Sequence, residues 1–343
     1  MPRLLLLLSL VLAARASAQA GPSRGEGRPF FSRHVTWQEY GGSSQNWAVA
    51  QRPDGLVYVA NTEGVLEYDG AGWRLYSLPD EARSLVRSLA VGPSSRVYVG
   101  GVGDFGFLAP DTSGTLAYRS LVPLVAARDR SAFTDVWTTH ATRGGVVFQS
   151  SERLFRWDGR RMETWRTDTR FRTSFLVRGD VYVWEDGVGV KALGSRGLAL
   201  VPGGGAFAER KVDALLPYGR GGFLAVVRDE GLVVLGADGR SWALPGPASE
   251  YLVAHRPYSA IAVPDAYSGR GVLYAVATSG GGVVLVTPGG RVVRVYREDV
   301  GLGEGDDAIG LQVDRQGGLW VALQNGLTRI DLAARHTWFD EGD

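Results

Sequence analysis

The side chains best able to do chemistry recur at one place in a repeated pattern. Glu63, Asp104, Glu152, Glu185 with Asp186, and Asp229 with Glu230 each stand in a tight turn after a short apolar segment, and Ser279 and Asn325 occupy the same place later in the chain. Loops ahead of neighbouring apolar segments add Asn46, Asp135, Asp213, Asp306 and Asp307, with Arg87 as the main opposing charge. If folding gathers these turns at one mouth, the result is an electronegative funnel. It would concentrate a cationic or polyhydroxylated ligand, or hold a hard cation such as calcium through oxygen ligands. The other reading is that Asp, Glu and Asn here are ordinary solvated turn residues, and no two of these carboxylates stand at a metal-binding spacing. A ligand at such a mouth would touch Asn46, Trp47, Glu63, Arg87, Asp104, Asp135, Trp137, Glu185, Asp186, Asp229 and Glu230.

Signatures of catalysis are missing. The four histidines, His34, His140, His255 and His336, are scattered with no i, i+4 pair, and there is no cysteine nucleophile. No Gly-x-Ser-x-Gly elbow occurs within the repeats, and His-Glu-x-x-His is absent, as is the Ser-x-Asp-x-Gly-x-Thr-Trp box of sialidases. The run Gly100 to Leu108 contains a Gly-x-Gly, but no helix pattern follows it, which argues against a nucleotide site. Phe105 within that run either plugs a channel or packs between repeats. Trp47, Trp137 and Trp184 would stack on a sugar or aromatic ligand, or pack between repeats. No catalytic residue, metal ligand or cofactor is nominated.

These residues are positioned by a repeat. Its most regular piece reads Val57-Tyr58-Val59-Ala60, Val97-Tyr98-Val99-Gly100, Val146 to Gln149, Val181 to Trp184, Phe223 to Val226, Leu273 to Val276 and Leu319 to Ala322. The mean period is about 44 residues, the size of a propeller blade. Gly-rich turns flank each copy, as at Pro53-Asp54-Gly55 and Glu63-Gly64 or Gln316-Gly317-Gly318 and Asn325-Gly326. This is the chemistry of tight hairpins. An outer strand shows at Trp73 to Tyr76, at Thr164-Trp165 and at Thr337 to Phe339. The pattern predicts an all-β, seven-bladed β-propeller of four-stranded antiparallel blades across residues 32–343.

Both ends carry further expectations. Arg3, the apolar stretch Leu4 to Ala13 and the small-x-small tripeptides Ala16-Ser17-Ala18 and Ala18-Gln19-Ala20 read as a cleaved secretory signal peptide over residues 1–20. Ten apolar residues are well short of the roughly 20 that span a bilayer as a helix. Residues 21–31 read as a polar, flexible linker. Thr36 to Tyr40 reads as an outer strand with no inner strands before it, so with Thr337 to Phe339 the ring has one strand too many. That surplus predicts that the natural chain continues into further blades.

The whole chain carries 37 basic and 36 acidic residues for a net charge of +1; residues 1–20 hold Arg3 and Arg15 and no acid, so the remainder is at −1. Near-neutrality argues against nucleic acid as a partner. The chain has no cysteine, so secretion has added no disulfides.

Several stretches resemble the two-component regulator propeller family: Asn46 to Gln51, Gly64 to Gly70, Val97 to Leu108 and, most specifically, Asp314 to Ile330 with its Asp-Arg-Gln-Gly-Gly-Leu-Trp-Val-Ala. The resemblance implies the periplasmic sensor region of a bacterial transmembrane signalling receptor. In that family about fourteen blades in two rings precede an immunoglobulin-like module, a membrane helix and an output such as a histidine kinase. For this chain it implies a non-catalytic, ligand-sensing propeller, periplasmic or secreted, with a small molecule or glycan fragment as partner. Membrane attachment and any homodimer would belong to the full-length receptor. Two rival readings remain open: a secreted propeller enzyme of metal-dependent lyase or lactonase type, and a protein-interaction scaffold. The leader is tested by N-terminal mass spectrometry of the exported protein, which is expected to begin at Gln19 or Gly21; retention of Met1 would mark an uncleaved anchor.

Overall fold

A computed structural model describes residues 32–78, 85–303 and 306–332. The expected leader and linker, and the expected outer strand at Thr337 to Phe339, lie outside the described residues. The fold is a seven-bladed propeller: seven four-stranded antiparallel sheets, each containing one of the seven repeated segments as its second strand from the axis. Blade 1 runs outward through Asn46–Gln51, Val57–Asn61, Gly64–Tyr68 and Trp73–Tyr76. The inner strands of blades 2 to 7 are Val86–Val91, Thr138–Thr142, Phe171–Val177, Val212–Tyr218, Pro257–Val263 and Ala308–Val313.

The repeat reads as near-continuous apolar runs because each blade packs on both faces. Gly222–Val227 and Gly318–Leu323 are buried at every residue. In outer strand Ser241–Leu244 three of the four residues are exposed. The core is accordingly divided into seven apolar clusters, one in each seam between neighbouring blades. Phe105 belongs to the seam of blades 2 and 3, fully buried against Phe133, Phe148 and Phe155, so it packs between blades. Burying one such side chain stabilises by roughly 1.5–3 kcal/mol. Trp184 packs in the seam of blades 4 and 5, its indole N–H donating to the Phe207 carbonyl at 2.8 Å.

Glycine at the start of the third strand is sterically required. At Gly64, with φ +143°, a Cβ would lie 2.3 Å from the Tyr76 carbonyl oxygen of the outer strand. The Asp314 motif is structural: its carboxylate accepts from the backbone N–H of Gln316 and Gly318, the Trp320 indole and the Arg329 guanidinium. The turn and the strand it opens are thus tied to one buried carboxylate. A nine-residue helix, Pro247–His255, lies between blades 5 and 6 where strand patterning alone gave no helix.

The ring closes differently from the sequence expectation. Blade 7 takes its outer strand from Ser32–Val35, which pairs antiparallel with Leu327 to Ile330. Thr36 to Tyr40 is not a strand. Thr36 caps the short helix Trp37–Tyr40, and Glu39 completes a capping box by accepting from the Thr36 N–H at 3.1 Å. The Thr-x-x-Glu spacing is the local signal that overrides the strand-like aromatics. The N-terminal strand that the aromatics suggested thus lies four residues earlier, at Ser32–Val35, and the rival outer strand at Thr337 to Phe339 lies outside the described residues.

The seam of blades 7 and 1 is clasped by Asn46, which is fully buried. Its Nδ2 lies 2.9 Å from the Gly326 carbonyl and 3.0 Å from the Tyr40 hydroxyl, and its Oδ1 accepts from Asn61 at 2.8 Å. Asn46→Ala is expected to cost about 2–3 kcal/mol in chemical denaturation, because it strands buried polar partners. Exposed Glu63→Ala should stay within about 0.5 kcal/mol of wild type.

Candidate functional site

One irregularity recurs around the axis and builds the site. In blades 1, 2, 4, 5, 6 and 7 the register between inner and second strand slips at the second residue of the inner strand. The extra residues are Trp47, Arg87, Arg172, Asp213, Tyr258 and Ile309, and all line the central cavity. A bulge leaves its extra residue unpaired and turns its side chain out of the ladder, here toward the channel. In blade 3 the place is taken by Trp137, one residue ahead of the inner strand, whose N–H donates to the Gln149 carbonyl at 2.8 Å. Seven consecutive blades thus set one residue each at one mouth.

The residue after the bulge must be small because inner strands converge there. It is Ala48, Ser88, Thr173, Ala214, Ser259 and Gly310, with Thr138 in blade 3. A Cβ on Gly310 would sit 2.5 Å from the Trp47 carbonyl of the next blade. Ser88 and Ser259 exploit the same proximity, donating to the Val136 and Ile309 carbonyls at 2.8 and 2.6 Å.

Arg87 is the best-ordered polar group at the mouth. Its guanidinium carbon lies 3.9 Å from the Trp47 ring centroid and 4.9 Å from that of Trp137, and Nε donates to Asp135 Oδ1 at 2.8 Å. Two indole rings thus lie against it and one edge is tied, while its terminal nitrogens have no hydrogen-bond partner among the described residues. Opposite, Arg228 forks onto Asp213 at 2.8 and 2.7 Å and donates to the Pro257 carbonyl. Burial pushes the Asp213 carboxyl above its ordinary range, with Arg228 opposing the shift. The Tyr258 phenol between these groups is likewise raised by burial, with Arg87 and Arg228 pulling it back.

The cavity these residues open has a volume of about 1320 Å³. Its lining carries six basic side chains, Arg87, Arg170, Arg172, Arg178, Lys211 and Arg228, against three acidic ones, Asp186, Glu209 and Asp213. The expected electronegative funnel is therefore corrected. The carboxylate turns follow second strands, and those lie one strand spacing, about 4.8 Å, farther from the axis. Glu63, Asp229 and Glu230 are exposed and off the lining, and Glu230 pairs with Arg210 at 3.1 Å. Asp104 accepts from Ser120 at 2.6 Å, also off the lining. Glu185 is buried beside Lys191 Nζ at 2.7 Å and the Thr167 hydroxyl at 2.5 Å. Asn46 is spent on the ring clasp. Trp47, Arg87 and Trp137 come together, with Asp135 bound behind them, and Asp186 lines the cavity paired to Arg172 at 2.6 Å.

Sequence reasoning missed Arg172, Arg228, Tyr258 and the pair His140 and Ser174. A partial signal was present: Trp47, Arg87, Asp213 and Ile309 each stand ten positions before the repeated segment of the second strand, whereas Arg172 and Tyr258 stand nine and fifteen before theirs and do not follow that spacing. His140 Nε2 lies 3.0 Å from Ser174 Oγ across the seam of blades 3 and 4, and Thr138 also bonds that oxygen. Among the described residues no group of three or more His, Cys, Asp or Glu is placed to hold a metal ion, and no helix is long and apolar enough to cross a membrane.

Fold and channel define a seven-bladed propeller with a ligand-sized axial cavity, and solved structures of that form serve several functions. Virginiamycin B lyase from Staphylococcus aureus superposes with a TM-score of 0.64 at 11% identity, over 88% of this chain and 99% of that one. The extracellular domain of a hybrid two component system from B. thetaiotaomicron matches with a TM-score of 0.64 at 14% identity, over 92% of this chain and 44% of that one. The WD40 propeller domain of Doa1 also gives 0.64, at 12% identity, over 88% and 97% of the two chains. No protein-family model and no curated protein matches the sequence.

Burial depresses the His140 imidazole to about 4 from an ordinary 6.5. His140 is then neutral in the fold, while in the unfolded chain it gains a proton below about 6.5. Stability contributed by the neutral ring is present above pH 6.5 and is lost as pH falls toward 4. Thermal melts of wild type and His140→Gln are expected to converge or cross between these values; a constant gap would mean that His140 titrates normally.

Proposed function

We propose that this chain is a ligand-binding, sensing propeller of an extracytoplasmic receptor, which takes a small molecule at the channel mouth and does no chemistry on it. The observation that carries this reading is the Arg87 clamp. A guanidinium held between two indoles and fixed by Asp135 is preorganised, so ligand binding does not have to immobilise it. Six bulges, with Trp137 in the corresponding place of blade 3, aim side chains at that mouth, beyond what packing of a ring requires. Similarity to the extracellular domain of a hybrid two component system and the secretory character of residues 1–20 support the extracytoplasmic setting. The likeness to a lyase is one of fold.

A second reading has one observation in its favour, the contact of His140 with Ser174. A serine–base pair at 3.0 Å facing a cavity has the geometry of an activated nucleophile. Against it, Ser174 is buried, its oxygen is shared with Thr138, and His140 Nδ1 has no orienting partner among the described residues.

Thermal-shift screening of neutral oligosaccharides, sugar acids and aromatic or aliphatic carboxylates tests the reading. A ligand at 100 times its Kd should stabilise the wild type by about 2.7 kcal/mol, and Arg87→Met should lose most of that shift while keeping its circular dichroism spectrum. Equal shifts in both proteins would place binding elsewhere. Turnover of a bound compound, or Ser174 labelling by a fluorophosphonate, would establish the enzyme instead.

A further inference from the structure

The proposed site divides along the axis into two chemically different zones. Arg87, Arg172 and Arg228 ring one end of the channel, at the bulges and the turns beside them. Deeper along the inner strands an apolar zone is formed by Val91, Leu176, Pro217, Ile261 and Leu311, with Gln51, Arg178 and Gln312 where the strands end. Leu176 is 45% exposed although it lies within the ring, so no protein group covers it. Inner strands of five to seven residues make such a channel about 20 Å long at 3.3 Å per residue.

Neutral sugars would find few partners along that wall. Burying hydroxyls without hydrogen bonds costs free energy, whereas an apolar body gains roughly 25 cal/mol for each Å² it removes from water. At the rim the reverse holds. The terminal nitrogens of Arg87 are donors without an acceptor among the described residues, and at this end the basic side chains of the lining outnumber the acidic ones by five to three, Arg178 standing at the other end of its strand. A cation would meet both the clamped guanidinium and that surplus. Arg228, Arg172 and Arg87 are each held on a carboxylate, Asp213, Asp186 and Asp135, but the first two spend Nε and a terminal nitrogen on it whereas Arg87 spends Nε alone, which leaves its terminal edge to a ligand.

Building on the ligand-binding reading of this channel, we infer that its ligand is an amphipathic monoanion. A carboxylate or comparable single-headed anion docks on the Arg87 edge, and an apolar chain or ring system lies down the channel against Leu176. Specificity then divides between the two zones. The head requires a negative charge, and the body requires length and apolarity.

Isothermal titration with octanoate, octyltrimethylammonium, octyl glucoside, acetate and a neutral maltooligosaccharide tests this on wild type, Arg87→Met and Leu176→Glu, each first shown to melt cooperatively. Octanoate is expected to bind wild type at least tenfold tighter than the cationic and glucoside analogues, and acetate should give no measurable heat. Arg87→Met should weaken octanoate tenfold or more, and Leu176→Glu should weaken it similarly through the apolar zone. If octyl glucoside or the maltooligosaccharide binds better than octanoate and loses affinity in the same variants, the anionic class is overturned while the channel site stands. Octanoate bound equally by all three proteins would place it outside the channel and overturn the inference. No binding by octanoate overturns it as well, and the broader screen then decides whether the channel binds anything.

Discussion

Everything at the centre of this molecule follows from how closely seven inner strands must approach one axis. Backbones that converge leave no room for a large side chain between them, which is why Gly310 lies against the Trp47 carbonyl and why serine or alanine fills the same position in most other blades. A strand in regular register would alternate its side chains into the two seams. The bulge one residue earlier breaks that alternation and frees a side chain that belongs to neither seam. The channel's chemistry is carried by residues that close packing has excluded from the core.

The seams themselves are stabilised in two ways. Most of each seam is apolar, with five of the seven second strands buried at every residue, so the hydrophobic term is spread over seven clusters. Between blades 7 and 1, where the two ends of the ring meet, a buried polar clasp of Asn46, Asn61 and Tyr40 joins the apolar cluster. Polar groups buried this way are directional. They fix which strands meet, because any other register leaves amides unpaired.

Much of the fold was legible because its signals are local and repeated. A strand between two glycine turns identifies itself, and seven copies at one period leave little choice of architecture. The site was less legible because it depends on distance from the axis, a coordinate that hairpin chemistry does not encode. Carboxylates in conspicuous turns drew attention outward, to positions such as Glu63 and Glu230, while Arg172 and Tyr258 sat in unremarked strand starts. Counting back from Val57, Val97 or Leu319 would have found part of the bulge row. Trp47, Arg87 and Trp137 were singled out in the sequence as separate residues, but their stacking joins three blades and shows only in three dimensions. At Thr36 the error had the opposite character: aromatic content suggested a strand where a capping box, read at face value, gave a helix.

The closing strand has a consequence for biosynthesis. Arg33 pairs with Arg329, so the first strand made waits for the last blade before it has a partner. At roughly 5–20 residues per second, that interval during synthesis is on the order of tens of seconds. Throughout it, a strand edge is available to any other chain. Ser32-Arg33-His34-Val35 is short and carries a charge, both of which discourage edge-to-edge pairing. The segment that seals the ring is thus also composed to survive being alone, and the ring's order of assembly is written into a short, polar strand.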